Sequence, residues 1–344
     1  MAPKIAFKII ESESVFLDPR KDFQETTVKF QVRIDPLTGK TGHFSHFGAI
    51  KPQRLPFEDY LRPEIKGFCP FCLENREKST PKFKKEIIPE GRITRGESVL
   101  IPNLFPYDIY SAVVIMTDEH VCPINGFTEK RLLDALWVGI DFLKRIKKLE
   151  PHLPYHIMSW NYMPPSGGGL VHPHQQYFAS QFPGNQFTDE YRASREFYEK
   201  HHVSFWDELI KEEERLKERY IGKIGNSVWL ASFVSFGIIG EILCIFPQIY
   251  SVEGFDLEAI RDFTSGLLKI FDYYKEDGIF SFNATFFFGE EKQRFFPCHF
   301  RIIPRTFLNM RDYAPDLNFF QSLLMEPVSV VLPEDLCIKV KKFF

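Results

Sequence analysis

Residues 166–176 read Ser166-Gly167-Gly168-Gly169-Leu170-Val171-His172-Pro173-His174-Gln175-Gln176, and this stretch decides how the chain is understood. Side chains alternate across an extended segment, so His172, His174 and Gln176 point one way. Two imidazoles then face one pocket, and the glycine run before them lets backbone come close to a ligand.

The rest of the chain bounds what that pocket serves. With 344 residues, 44% of them hydrophobic and 26% charged, the chain is globular and large enough for one big core or two domains. A net charge of -3 gives no electrostatic basis for nucleic acid as the main ligand. The segment from Met1 to Phe16 scatters Lys4, Lys8, Glu11 and Glu13 among its apolar residues. It lacks the apolar core of a signal peptide, so a cytoplasmic location is expected.

Between Val228 and Pro247 the single charge is Glu241, and the length approaches that of a membrane span. Ser232, Ser235, Gly237 and Gly240 interrupt it, however, and Glu241 would be costly within a bilayer. Two buried strands, 228–236 and 241–246, explain the composition better, and no membrane partner is expected.

The six cysteines do not form a disulfide framework in a chain of this size without an export signal. Cys122, Cys244, Cys298 and Cys337 stand alone in apolar surroundings and fill core volume. Cys69-Pro70-Phe71-Cys72 is different, because two intervening residues let both sulfurs reach one tetrahedral ion. A redox dithiol would want a helix N-terminus nearby, and the polar run 73–81 ending in Pro81 is read as too short for one. Zinc is preferred. Of the ten histidines, His120 and His172 are the candidates to complete the site, whereas His43, His46, His152, His156, His201 and His202 read as solvated.

Periodicity supplies the scaffold. A strand at 112–116 leads to His120; Thr128 then caps a helix with Leu132, Leu133, Leu136, Trp137, Ile140 and Leu143 on one face. A strand from His156 to Trp160, Asn161, the glycine loop and the histidine strand follow. The order recurs after Gly254-Phe255, which matches Gly126-Phe127: a helix carrying Leu257, Ile260, Phe263, Leu267, Ile270 and Tyr274, then a strand at 279–288. His172 lies 46 residues after Gly126 and His299 lies 45 after Gly254, so counting lays His299-Phe300-Arg301 over His172-Pro173-His174. The expected architecture is α+β: two αβ units, each a mostly antiparallel sheet with packed helices, divided as 1–190 and 191–344. The stretch 195–217 reads as one charged connecting helix with a solvated face.

Taken in order, Asp35-Pro36-Leu37-Thr38-Gly39, the Cys-Pro-Phe-Cys pair, Asn103-Leu104-Phe105-Pro106, His120, Asn161, the histidine run and Pro333-Glu334-Asp335 resemble the galactose-1-phosphate uridylyltransferase family of the histidine-triad superfamily. The resemblance spans most of the chain. It implies a zinc site of Cys69, Cys72, His120 and His172, with His174 as a nucleophile that carries a nucleoside monophosphate between two acceptors. Gln176 would stabilise the phosphate without adding charge. Asn161 and the backbone of Gly167, Gly168 and Gly169 would cradle phosphates, Asn103 and Phe105 would meet the nucleoside, and a homodimer is implied.

Departures from the pattern bear on the substrate. Gly169 stands where the family commonly has serine, leaving Ser166 as a substitute hydroxyl. Gln175 replaces a small residue and is expected to narrow the pocket. Two phosphate-binding arginines fall at Gly48 and Lys51, with Arg54 near enough to compensate, and a hexose-binding glutamine falls at Val328. A second His-x-His metal site of some members is reduced to His299-x-Arg301, which turns Arg301 into a candidate phosphate ligand. The implied reaction is UMP or AMP transfer between a nucleotide sugar and a sugar 1-phosphate. Alternatives are an ADP-glucose phosphorylase using inorganic phosphate, a nucleotide hydrolase, and a non-catalytic binding protein on the same scaffold; retention of His174 and Gln176 argues against the last.

Overall fold

The computed structural model describes residues 5–48, 50–53, 59, 62, 67–309, 311 and 313–344. Arg54 lies outside them. The strands are β1 (Lys8–Asp18), β2 (Gln24–Ile34), β3 (Thr41–Phe44), β4 (Ile93–Arg95), β5 (Ser98–Pro102), β6 (Tyr110–Ile115), β7 (Tyr155–Tyr162) and β8 (His174–Ser180), followed by β9 (Tyr220–Ile224), β10 (Ser227–Ala231), β11 (Ile242–Ile245), β12 (Ser281–Phe288), β13 (His299–Arg305), β14 (Phe307–Asn309), β15 (Ala314–Pro315) and β16 (Val328–Ser329). Ten of them form one sheet in the order β4-β5-β6-β8-β7-β12-β13-β11-β10-β9. Every pairing within it is antiparallel.

The two halves of the chain meet at the centre of this sheet, where β7 pairs with β12. Its helix-covered face packs on α2 (Glu129–Leu149) and α5 (Leu257–Asp277); α1 (Leu73–Ser79) lies earlier in the chain. Thr128 caps α2 as expected, accepting from the backbone of Arg131, and Asp256 does the same for α5, accepting from the backbone of Ala259. Both helices come close to the sheet at a glycine: a Cβ at Gly139 would overlap the Tyr177 ring, and one at Gly266 the Trp229 indole. The apolar stripes are buried as expected, except that Leu257 is exposed and Trp137 only half-buried.

Several expectations need correction. The region 195–217 is two helices, α3 (Asn185–His201) and α4 (Phe205–Leu216), broken where His202 turns left-handed at φ 59°. The expected unit boundary at 190/191 falls within α3. The apolar stretch after Val228 does form two paired strands, but shorter ones, because Ser232 and the Phe236 amide turn inward to bind the Glu241 carboxylate. His156 lies on β7 with no exposure, not in a solvated loop, since the helix-covered face of β7 takes every second residue. No helix among the described residues is long and apolar enough to cross a membrane.

A second sheet, β1-β2-β3-β16, joins the chain's ends. Near its C-terminus α6 (Phe319–Ser322) precedes α7 (Pro333–Val340), and Glu334 of α7 receives both Arg33 and Arg219 at 2.8–2.9 Å. Pro333-Glu334 is thus a clamp between the sheets. Asp35 folds its own motif: its carboxylate accepts from the amides of Leu37 and Thr38 and from the Thr38 hydroxyl, and Gly39 closes the turn at φ 73°.

Candidate active site

Polar residues of four neighbouring central strands gather on the face of the sheet opposite α2 and α5. Gln176 on β8 pairs with Ser159 on β7, Asn161 with Asn283 on β12, and Thr285 with Arg301 on β13. Alternation keeps His174 with Gln176 on this face and turns Gln175 to the other, where it is buried and accepts the Tyr177 hydroxyl at 2.9 Å. Gln175 therefore does not narrow the pocket.

Cys69, Cys72, His120 and His172 come together, all four ligand atoms lying within 4.8 Å of one another. Cys69 Sγ is 3.7 Å and Cys72 Sγ 3.8 Å from His172 Nδ1, and Cys72 Sγ is 3.4 Å from His120 Nδ1. A tetrahedral zinc with ordinary bond lengths needs S···N edges of about 3.6 Å, so the donor set fits. The Nε2–H of His172 donates to the Thr117 carbonyl at 2.9 Å, which leaves Nδ1 as the lone pair facing the cluster. Burial lowers His172 to about 4, keeping the imidazole neutral as a ligand must be.

The run after Cys72 is helical after all: α1 starts at once, with Cys72 as its N-cap. The preference for a metal over a redox dithiol rests instead on the two histidines that close the tetrahedron. Arg76, within α1, is buried and ties the cluster down. Its guanidinium donates to the Phe71 carbonyl, the Thr117 carbonyl and the Asp118 carboxylate.

His174 sits beside this cluster at the start of β8. Its Nδ1 lies 2.8 Å from the His172 carbonyl, and a carbonyl only accepts, so Nδ1 carries the proton and Nε2 keeps its lone pair. Burial holds the ring below the ordinary histidine range, partly offset by that hydrogen bond. Phe71, between the two cysteines, packs its ring against His174 at 5.4 Å and His172 at 6.0 Å. The metal loop therefore touches the imidazole directly.

The glycine loop follows β7. Met163 is buried at φ 67° and ψ 159°, a region that non-glycine residues rarely adopt, and it sets the short turn Pro164–Ser166. Gly167 has φ 83°, open space surrounds Gly167 and Gly169, and Gly168 passes close to the Asn161 carbonyl. The Ser166 hydroxyl donates to the Met163 carbonyl at 2.7 Å, so the proton that was to replace the missing serine's is already in use.

Asn161 and Arg301 line a cavity of about 790 Å³ between the sheet and the segments 35–41 and 321–327. That volume suits a small-molecule ligand. Arg301 is not free to bind phosphate as expected: it pairs with Glu190 at 2.7 Å and with Glu241. Two carboxylates are needed to hold one buried guanidinium, and its charge is satisfied by them. Asn103 accepts the Phe105 amide at 3.0 Å and shapes its own loop, while the Phe105 ring is 79% exposed. Lys51 is exposed, and neither it nor Asn103 nor Phe105 lines the cavity.

Counting misplaced the second half's histidine. Ile115 pairs with His174 and Ile245 with His299; the Met116 amide donates to Pro173 and the Phe246 amide to Cys298. His299 Nδ1 also faces the carbonyl two residues before it, that of Pro297, at 3.1 Å. His299 is thus the counterpart of His174, not His172, and Arg301 the counterpart of Gln176. The reason is that both links after the helix are shorter in the second half, 278–280 against 150–154 and 289–298 against 163–173.

Functional-site residues that sequence reasoning missed are Phe71, Arg76, Glu190, Asn283 and Arg305. Each is an ordinary residue type whose partner is remote in sequence, so no local spacing marks it.

No protein-family model matches the chain. An uncharacterized protein of Archaeoglobus fulgidus is 28% identical over 316 residues, covering 91% of this chain and 92% of that one. Among solved structures, an ADP-glucose phosphorylase from Arabidopsis thaliana with bound ADP-glucose superposes with a TM-score of 0.69 at 17% identity, covering 91% of this chain and 98% of that one. A GalT-like protein from the same plant gives 0.67 at 17%, covering 90% and 98%, and a uridylyltransferase mutant gives 0.64 at 16%, covering 91% and 97%. The chain has the fold of these uridylyltransferase-like proteins, the fold that its ordered motifs imply.

Proposed function

We propose that the protein is a nucleotidyltransferase that passes UMP or AMP from a nucleotide sugar to a sugar 1-phosphate through a covalent nucleotidyl-His174. The observation that carries this reading is the His174 imidazole with Nδ1–H committed to the His172 carbonyl. Its Nε2 lone pair is held neutral and fixed in direction, as in-line attack on phosphorus requires. The attack forms a P–N bond as the P–O bond to the sugar 1-phosphate breaks, and that oxygen leaves with the electron pair. The acceptor's phosphate oxygen then displaces Nε2 in the second step.

Cys69, Cys72, His120 and His172 would hold zinc, which supplies structural cross-linking of the loop and strand that carry His174 rather than substrate activation. Gln176, on the face shared with His174, is a neutral donor for the transferring phosphoryl group, and the Gly167–Gly169 amides offer further donors. Lys51 and the exposed Phe105 ring remain candidates for phosphate and base contacts that form when a ligand or second subunit is present. A homodimer and a cytoplasmic setting accord with this reading.

A second reading, phosphorolysis of ADP-glucose with inorganic phosphate as acceptor, is favoured by one residue. Val328, at the family's hexose-binding glutamine position, is apolar and sits in the two-residue strand β16. Both readings predict exchange: radiolabelled glucose 1-phosphate should enter UDP-glucose or ADP-glucose without a second acceptor. Exchange into neither, by zinc-loaded protein, would count against the double displacement; faster net turnover with phosphate than with galactose 1-phosphate would select the phosphorylase.

A further inference from the structure

We propose that Asn283, contributed by the C-terminal half, is a positioning residue that decides which arm of the Asn161 amide faces the cavity, making Asn161 a donor to a phosphate oxygen of a nucleoside diphosphate. The inference rests on the proposed function for its ligand and on hydrogen bonding alone for its geometry.

Asn161 and Asn283 are directly opposed across the β7–β12 seam. The Asn283 Nδ2 donates twice, to Asn161 Oδ1 at 2.7 Å and to the Ser166 carbonyl at 2.8 Å. Its Oδ1 accepts from Arg305 at 2.5 Å. Arg305 is itself gripped by the buried Asp316 carboxylate, at 2.8 Å from Nε and 2.6 Å from Nη2.

Amide flips are normally free choices, but not here. A guanidinium only donates and a carbonyl only accepts, so Asn283 has one permitted orientation. That orientation captures the Oδ1 of Asn161 and leaves its Nδ2 as the arm available to a ligand. No hydrogen bond from that Nδ2 is made among the described residues, and Asn161 lines the cavity.

The same Asn283 amide holds the Ser166 carbonyl, which anchors the first residue of the glycine loop. Gly168 in turn lies against the Asn161 carbonyl. One side chain from the second half therefore holds both the Asn161 amide and the start of the glycine loop. An N–H donor turned toward the cavity suits an anionic oxygen.

Asn283→Asp is nearly isosteric but cannot donate. The Asn161 amide must then turn its Nδ2 toward the new carboxylate and present Oδ1 to the cavity. Binding of UDP, ADP, uridine and adenosine should be measured by calorimetry on wild type, Asn283→Asp, Asn283→Ala, Asn161→Ala and Asn161→Ala/Asn283→Asp.

The expected result is at least a tenfold loss of diphosphate affinity in Asn283→Asp, a smaller loss in Asn283→Ala, and unchanged binding of whichever nucleoside the wild type takes. In the Asn161→Ala background the Asp substitution should add only the smaller loss that comes through the Ser166 carbonyl, because the larger part of its effect runs through Asn161; direct charge repulsion would persist there in full. Equal losses for nucleoside and diphosphate, or a full extra loss in the double variant, would overturn the inference.

If wild type binds UDP or ADP yet shows no sugar 1-phosphate exchange, the proposed reaction fails and the positioning role is still decided by these ratios. Exchange with normal Asn283→Asp affinity leaves the reaction standing and sinks the positioning role. Binding of neither diphosphate sinks both.

Discussion

His174 and His299 occupy matching points of the two half-sheets, each with Nδ1 facing the carbonyl two residues earlier, yet only His174 keeps its other nitrogen open. His299 Nε2 is 3.1 Å from Glu190, and its ring is stacked on Trp206 at 4.5 Å with no exposure. The fold offers the same imidazole twice and closes one copy.

This asymmetry predicts a split between two substitutions. His174→Asn should abolish nucleotidyl labelling while keeping zinc and the unfolding midpoint near wild type. His299→Asn should keep the label but destabilise the fold by ~1–3 kcal/mol, since Glu190 loses a buried partner and Trp206 its stacked ring. Denaturant titration beside a labelling assay separates the two effects, and labelling lost equally in both variants would contradict the assignment.

Phe71 packs against both His172 of the Cys/His cluster and His174, so Phe71→Ala should loosen His174 without removing a proposed zinc ligand. A fall of about tenfold or more in transfer rate is expected, as misplacement of a reacting group costs. KM and zinc content should change little. If zinc is lost in proportion to activity, Phe71 serves the metal loop alone.

Metal removal should act through the fold. Cys69→Ser and His172→Asn should lose zinc and lower the melting temperature, and a chelator should do the same to wild type but not further to the variants. Elemental analysis and calorimetry check this. A wild type whose melting temperature ignores the chelator would rule out a structural metal.

His156 gives a pH signature away from the metal. Burial lowers it to about 4, whereas the unfolded chain takes its proton near 6.5. The depressed folded value means that the stability is full above 6.5 and is lost as pH falls from there through 4, by ~3 kcal/mol in all. Replacing the residue with Phe should flatten that part of the stability profile in denaturant titrations between pH 7 and 4; an unchanged slope would place the acid response elsewhere.

Much of the fold was legible because local chemistry announces it. Thr128 caps the helix it immediately precedes, the period-3.6 stripes locate α2 and α5, and Cys-Pro-Phe-Cys with His120 and His172 brings four metal donors together. The order of motifs also pointed to the right fold. What stayed hidden depends on partners distant in sequence or on links of unequal length. Arg301 looked like a phosphate ligand until Glu190 and Glu241 were seen on either side of it. Gln175 looked like a pocket residue from its family position alone, although the alternation that keeps His174 with Gln176 turns it to the other face. The two-residue slip of His299 came from loops that the eye counts as equal, and Asn283 carried no motif at all.

The central claim is a covalent bond between His174 and a nucleoside monophosphate. Zinc-loaded protein incubated with UDP-glucose and, separately, ADP-glucose should be digested and sequenced by mass spectrometry at alkaline pH, where a phosphoramidate survives. The account predicts an acid-labile, base-stable UMP or AMP adduct on the peptide carrying His174, absent from His174→Asn and released as nucleotide sugar by glucose 1-phosphate. An intact, metal-loaded protein that forms no adduct with either donor, or forms it on another residue, would contradict it.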